Sequence, residues 1–206
     1  MFNQKIQDWF IKNKWEPHSY QLELFKKIDE INNALILAPT GSGKTLAGFL
    51  PSINEMIVNP KQGLNTLYIS PLKALANDIE RNLSKPIKEM GLNIRLETRT
   101  GDTKQSKKNN QKYNPPNFLM TTPESFILML SWESASIFFQ NLRYLIIDEI
   151  HTLVNDKRGD LLSLGISRLC HINKKIKKIG LSATVSEPNL ILKWLNSGNQ
   201  LNVKSS

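Results

Sequence analysis

Residues 34 to 45 read Ala-Leu-Ile-Leu-Ala-Pro-Thr-Gly-Ser-Gly-Lys-Thr, a short apolar strand running directly into a glycine-rich turn that ends in Lys44 and Thr45. Any fold built from this chain must place a strand end, a tight turn and a helix start in immediate succession. Glycine at 41 and 43 lets the backbone take turn angles and approach a ligand closely, so that the N–H groups from Thr40 through Ser42 to Gly43 can converge on anionic oxygens. The Lys44 ammonium would reach the β and γ phosphates of a nucleotide. Thr45 would offer its hydroxyl to a magnesium ion, and the dipole of the helix that begins here favours the same anion. Ala38 stands where the strict Gly-x-x-x-x-Gly-Lys-Ser/Thr pattern has its first glycine, a change that is tolerated wherever φ stays negative.

Two amphipathic helices precede this strand. Phe2, Ile6, Trp9 and Phe10 recur at helical spacing, and a second helix from about Ser19 carries Leu22, Phe25, Ile28 and Ile31. Pro17 separates them and leaves Gln21 near the start of the second. A carboxamide offers a donor and an acceptor, which suits the edge of an adenine, but Gln21 read alone also fits an ordinary surface position. The chain therefore divides into residues 1–33, the leading helices, and residues 34–206, the nucleotide-binding unit.

Beyond the turn, strands and helices alternate. Leu46, Phe49, Leu50, Ile53 and Ile57 mark a helix that Pro51 should bend. A strand over residues 65–70 leads to Pro71 and a helix over 73–90; a further strand over 94–98 closes on Thr100-Gly101-Asp102. Residues 104–112, rich in lysine and asparagine, read as a solvated excursion. A strand over 117–121 then meets Thr122-Pro123-Glu124, a helix start with a capping hydroxyl and a proline at the first helical position. The stretch 142–147, apolar at Leu142 and from Tyr144 to Ile147, predicts a strand covered on both faces, delivering Asp148 and Glu149 at its carboxyl end. Helical spacing over 160–169, a strand over 177–181 ending in Ser182-Ala-Thr184, and a last helix from Ser186 and Pro188 to about Leu195 complete the pattern. It is the pattern of an α/β fold with an open, mostly parallel sheet and right-handed crossovers. Ligands in such sheets sit at the strands' carboxyl ends, where the polar clusters at 41–45, 70–71, 101, 122–123, 148–149 and 182–184 all fall.

A formal charge of +9 and a pI near 9.6 favour a polyanionic partner. Cys170 is the only cysteine, which excludes an intramolecular disulfide and a cysteine-rich metal site and fits a reducing compartment. The start lacks the apolar core of a secretory leader, and no apolar run approaches the ~20 residues needed to span a bilayer. The expectation is a soluble cytoplasmic protein. Within it, Asp148 and Glu149 form an acid pair opposite the turn, one carboxylate suited to hold Mg²⁺ and the other to orient and deprotonate an attacking water. His151 would face the γ-phosphate or a neighbouring domain.

Taken in order, Ala38-Pro-Thr-Gly-Ser-Gly-Lys-Thr45, Ser70-Pro-Leu-Lys-Ala-Leu75, Arg99-Thr-Gly-Asp-Thr103, Thr121-Thr-Pro-Glu-Ser125, Asp148-Glu-Ile-His151 and Gly180-Leu-Ser-Ala-Thr-Val185 resemble the motifs of the superfamily 2 DEXH helicases. With Lys157-Arg-Gly-Asp160 after the acidic motif, the wording is most similar to the large helicase-related (Lhr-like) group and its DNA-ligase-associated, damage-response branch. The resemblance runs from about Trp9 to Leu195. It implies a RecA-like P-loop NTPase domain using ATP and Mg²⁺. Gln21 would then read the adenine, with Trp15 as the upstream aromatic; Lys44 and Thr45 would hold phosphate and metal; Asp148 would hold magnesium and Glu149 would activate water. Ser182 and Thr184, with His151, would couple hydrolysis to movement. Pro71, Lys73, Gly101, Thr122 and Pro123 would grip the backbone of single-stranded nucleic acid, DNA in preference to RNA, in a role in DNA repair. The resemblance also implies a second RecA-like domain whose arginines complete the ATP site. These 206 residues carry no such domain, so the chain alone is expected to be weak or inactive. An ATP- or nucleic-acid-binding module without turnover, or an RNA helicase domain, are the alternative readings.

Overall fold

The computed structural model describes residues 2–154, 156–183, 185, 187–195 and 200–204. Helices α1 (Gln4–Lys12) and α2 (Ser19–Lys27) come first, followed by strand β1 (Asn33–Leu37) and helix α3 (Lys44–Val58). Then come β2 (Thr66–Ile69), α4 (Lys73–Glu89), β3 (Leu96–Arg99), α5 (Gln105–Tyr113), β4 (Phe118–Thr121), α6 (Pro123–Leu130) and the short α7 (Ala135–Phe138). Strand β5 (Tyr144–Ile147) leads through a 3-10 turn at Ile150–Thr152 into α8 (Lys157–Ile172), and β6 (Lys177–Ser182), α9 (Pro188–Trp194) and β7 (Gln200–Lys204) end the chain. The strands form one sheet in the order β3-β4-β2-β5-β6-β1-β7, and every neighbouring pair is parallel.

Parallel strands need both faces covered, and the side chains show how that is met. Along each strand alternate residues point to opposite faces. Ile36, Tyr68, Met120, Ile146 and Leu181 pack with α1 to α4, whereas Leu37, Leu67, Leu119, Leu145 and Ile147 pack with α6 to α9. The leading helices bury Ile6, Trp9, Phe10 and Leu24 in the first of these cores. Pro51 lies inside α3, which continues through it.

Among the departures from the sequence reading, two bear on the edges of the sheet. The expected solvated excursion is helix α5, because Gln111 is fully buried and donates through Nε2 to Glu97 Oε2 at 2.9 Å and to the Thr98 carbonyl at 3.1 Å. Arg99 Nη1 donates to the Lys108 carbonyl at 2.8 Å, so α5 is fastened along β3, the edge strand whose exposed ladder it protects. The second is β7, which pairs with β1 on its outer side, with Ile36 opposite Val203. No such strand was expected there.

Candidate nucleotide and strand sites

The glycine-rich turn has the backbone its composition requires. Gly41 and Gly43 both lie at φ +83°, and a Cβ at Gly43 would stand 3.1 Å from Gln21 Nε2. Ala38 keeps a negative φ, and its N–H extends the β1–β6 ladder by donating to the Ser182 carbonyl at 3.1 Å. Two side chains from α2 hold the turn from behind. The Tyr20 hydroxyl donates to the Ser42 carbonyl, and Gln21 Nε2 donates to the Gly43 carbonyl at 3.2 Å. In a trans peptide the N–H points opposite to the C=O. Fixing these carbonyls therefore aims the N–H groups of Gly43 and Lys44 the other way, into the concavity. Gln21 is 2% exposed, which removes the surface reading; its Oε1 also accepts from the His18 N–H at 2.9 Å. Trp15 lies edge-on to Trp9 and, with Thr45, Leu46 and Leu83, lines an apolar slot of about 260 Å³ beside the turn.

Strand β5 delivers the acids from across β6. Glu149 sits at φ 46°, ψ 38°, left-handed backbone that a non-glycine residue adopts at a cost of roughly 1–3 kcal/mol. This bend turns its carboxylate toward the turn, where Oε1 meets Lys44 Nζ at 2.8 Å. The buried ammonium and the acid thus close an ion pair over the sheet edge. On the other side, Glu149 Oε2 lies 3.6 Å from His151 Nδ1, which is itself 3.0 Å from the Ser182 hydroxyl at the end of β6. Lys44, Glu149, His151 and Ser182 form one connected chain. Thr184, expected to belong with them, lies outside the described residues. Thr45 is half-buried in the first turn of α3.

Asp148 is 5% exposed, and both its oxygens are engaged: Oδ1 accepts from the Glu149 N–H at 2.9 Å and Oδ2 accepts from the Tyr68 hydroxyl. Burial pushes this carboxyl above the usual range. The Tyr68 and Glu149 N–H bonds and the Lys44 charge pull against that shift, while the Glu149 charge adds to it. Tyr68 belongs to β2, where it pairs in register with Ile146, two residues before Asp148 on the same face. Replacing Tyr68 by phenylalanine keeps the ring stacked on Phe49 at 5.5 Å and removes only the donor. A buried carboxylate that loses such a bond costs about 1.5–3 kcal/mol. Tyr68→Phe should therefore lower unfolding free energy by that amount in denaturant titration. An unchanged midpoint would reduce Tyr68 to packing.

The second cluster lies on the same sheet edge, beyond β2, β3 and β4. Lys73 Nζ donates to Asp102 Oδ1 at 2.8 Å, and a Cβ at Gly101 would come within 3.4 Å of that ammonium. Thr122 caps α6 by accepting from the Ser125 N–H, with Pro123 as the first helical residue. Ile69 and Arg99 both stand opposite Thr121, so the loops holding Pro71, Gly101 and Thr122 emerge side by side. The sequence-derived positions thus fall into two groups, one around Lys44 and Glu149 and one around Lys73 and Thr122. A cavity of about 810 Å³, lined by Glu55, Lys61, Arg143 and Asn173, lies away from both.

Two contributors were not foreseen: Tyr20 and Tyr68. Tyr68 had a legible signal, a hydroxyl-bearing residue inside an apolar strand that ends at the functional edge. Tyr20 acts through a contact distant in sequence, and nothing local announces it.

The geometry has counterparts. A sequence model of the DEAD/DEAH box helicase family matches residues 18–191. The ATP-dependent helicase Lhr-Core of Methanocaldococcus jannaschii is 42% identical, over 92% of this chain and 24% of that protein. The Lhr helicase/probable uracil glycosylase of Mycolicibacterium smegmatis is 39% identical, over 95% of this chain and 14% of that protein. The solved structure of Mycobacterium smegmatis helicase Lhr bound to ssDNA and AMP-PNP superposes with a TM-score of 0.92 at 38% identity, covering 100% of this chain and 28% of that one. The chain thus spans about a quarter of the length of these relatives or less. The likeness to the Lhr group read from the motifs is borne out, as is the RecA-like fold. With its turn, acid pair and ordered motifs inside the matched span, the chain belongs to the DEAD/DEAH box helicase family.

Proposed function

We propose that this chain is the ATP-binding half of an ATP-dependent DNA helicase or translocase acting in DNA repair in the cytoplasm, and that a second RecA-like domain completes it. The observation that carries the reading is the Lys44–Glu149 ion pair, which closes the turn against the acid of β5. Among the described residues no helix is long and apolar enough to cross a membrane.

In this reading the β and γ phosphates enter the concavity and take the Lys44 ammonium from Glu149. Glu149 is thereby freed to accept a proton from the attacking water. Nucleotide entry and exposure of the base become one event. Asp148 and Thr45 offer only oxygen donors, which suits a hard cation such as Mg²⁺. Bound there, Mg²⁺ would neutralise charge developing on the transferred phosphate. Gln21 retains a free lone pair on Oε1 and a second Nε2 hydrogen, enough to read an adenine edge while bracing the turn. His151 and Ser182 carry any shift of Glu149 to the end of β6, as a coupling element must. Calorimetric titration with Mg-ATP tests the site directly, and absence of binding would reject it.

Single-stranded nucleic acid would lie over Pro71, Lys73, Gly101, Thr122 and Pro123. The likeness to the Lhr structure bound to ssDNA and AMP-PNP supports a single strand as the partner, and DNA is the strand of this reading. Backbone contacts make affinity steeply salt-dependent and nearly indifferent to sequence. Lys73 and Asp102 form an exposed pair, so Lys73 can exchange a carboxylate for a phosphate at little cost. Lys73→Ala should weaken oligonucleotide binding about threefold to tenfold at low salt and lower the salt slope by about 0.7. A variant that titrates like the wild type would remove Lys73 from the site.

A further inference from the structure

Lys157-Arg-Gly-Asp160 stands out in the sequence, yet the chemistry above gives it no part. Its glycine is forced: a Cβ at Gly159 would fall 1.7 Å from the Leu153 carbonyl oxygen. The start of α8 is therefore pressed against the segment that follows Glu149 and His151. Beside it, the Arg158 guanidinium reaches two further loops at once. Its Nε donates to Glu124 Oε1 at 2.7 Å and its Nη2 donates to the Pro71 carbonyl at 2.9 Å. Pro71 follows β2 and Glu124 opens α6 after β4, so one planar fork bridges the ends of two adjacent strands.

We propose that Arg158 is a positioning residue for strand binding, setting the spacing of the Pro71–Lys73 and Thr122–Pro123 loops and fixing both to the segment that carries Glu149. The inference rests on reading those loops as the nucleic-acid site. Glu124 argues for positioning rather than direct contact. A carboxylate on a surface meant for phosphates repels the strand, so its presence calls for another role. Here it holds Arg158, and Arg158 holds Pro71. Burial alone would raise the Glu124 carboxyl, but the Arg158 bond, its own backbone N–H and Thr122 keep it below the ordinary range. The pair is nearly neutral and offers the strand little net attraction.

The sign of one substitution separates the two roles. Binding of a dT12 oligonucleotide to the full chain would be followed by fluorescence anisotropy across a salt series, for wild type, Arg158→Ala, Arg158→Lys, Glu124→Gln and the Arg158→Ala/Glu124→Gln double variant. Positioning predicts that Arg158→Ala weakens binding about threefold to tenfold with an unchanged salt slope. Lysine, which keeps the charge but lacks the planar fork that spans both acceptors, should be intermediate. Glu124→Gln should also weaken binding although it removes a repulsive charge, and the double variant should bind no worse than Arg158→Ala alone. Tighter binding by Glu124→Gln, no effect of Arg158→Ala, or a slope reduced by about 0.7 in that variant would overturn the proposal, the last by making Arg158 itself a phosphate contact. Wild type that shows no salt-sensitive binding would instead reject the nucleic-acid reading, and the proposal with it.

Discussion

Replacing Lys44 by alanine is expected to abolish measurable ATP binding. Lys44 is 6% exposed and its ammonium pairs with the acid across the concavity, so its loss removes charge-assisted bonds worth about 1.5–3 kcal/mol each. It also leaves the Glu149 carboxylate, now unpaired, facing the incoming phosphates. Lost attraction and new repulsion act in the same direction, and affinity should fall by roughly 10²-fold or more. The ion pair makes the opposite prediction for the acid. Glu149→Gln removes the anion that competes with phosphate for Lys44, so Mg-ATP should bind at least as tightly while hydrolysis is lost with the base. The Lys44→Ala/Glu149→Gln double variant should regain part of the affinity lost in Lys44→Ala, because the repulsion is gone. Calorimetry on the three proteins decides the matter. Weaker binding by Glu149→Gln would mean that Glu149 holds nucleotide or metal instead of masking the lysine.

What the sequence disclosed and what it hid divide along a physical line. The turn at 38–45 was legible because glycine angles, a terminal lysine and a strand-to-helix junction are local properties, and the structure repeats them at φ +83° for Gly41 and Gly43. Asp148 and Glu149 were legible because the short apolar run 144–147, set among alternating strands and helices, reads as a covered strand, and such a strand ends at the ligand edge. The left-handed backbone of Glu149 was not, since no residue preference signals a bend imposed by surrounding contacts. Helix α5 was missed for a related reason. Its composition is that of a solvated segment, and a single buried glutamine, bonded to the edge strand, decides its fate. Gln21 shows the remaining limit: its chemistry suggested an adenine edge, but its burial against Gly43 depends on where α2 packs.

The 206-residue chain on its own is expected to bind ATP, hydrolyse it slowly and unwind nothing. An arginine supplied from a facing wall is worth about 10³–10⁵ in the rate of phosphoryl transfer. The chain has six arginines, and their places argue that none supplies that charge. Arg81 and Arg168 are exposed on α4 and α8. Arg95 pairs with Glu97, Arg99 lies 4.7 Å over the Trp132 ring, Arg143 faces Glu55, and Arg158 is bound to Glu124. Lys44 is the cation paired with the acid of the site. Translocation further needs two bodies that grip the strand alternately as the cleft between them opens and closes, and the loops from Pro71 to Pro123 all belong to one sheet. Steady-state hydrolysis and strand displacement should therefore both rise when the second RecA-like domain of a related helicase is added in trans, the first by several orders of magnitude. Robust ATP-dependent unwinding by the chain alone would overturn this account and would require a second copy of the chain to provide the facing wall.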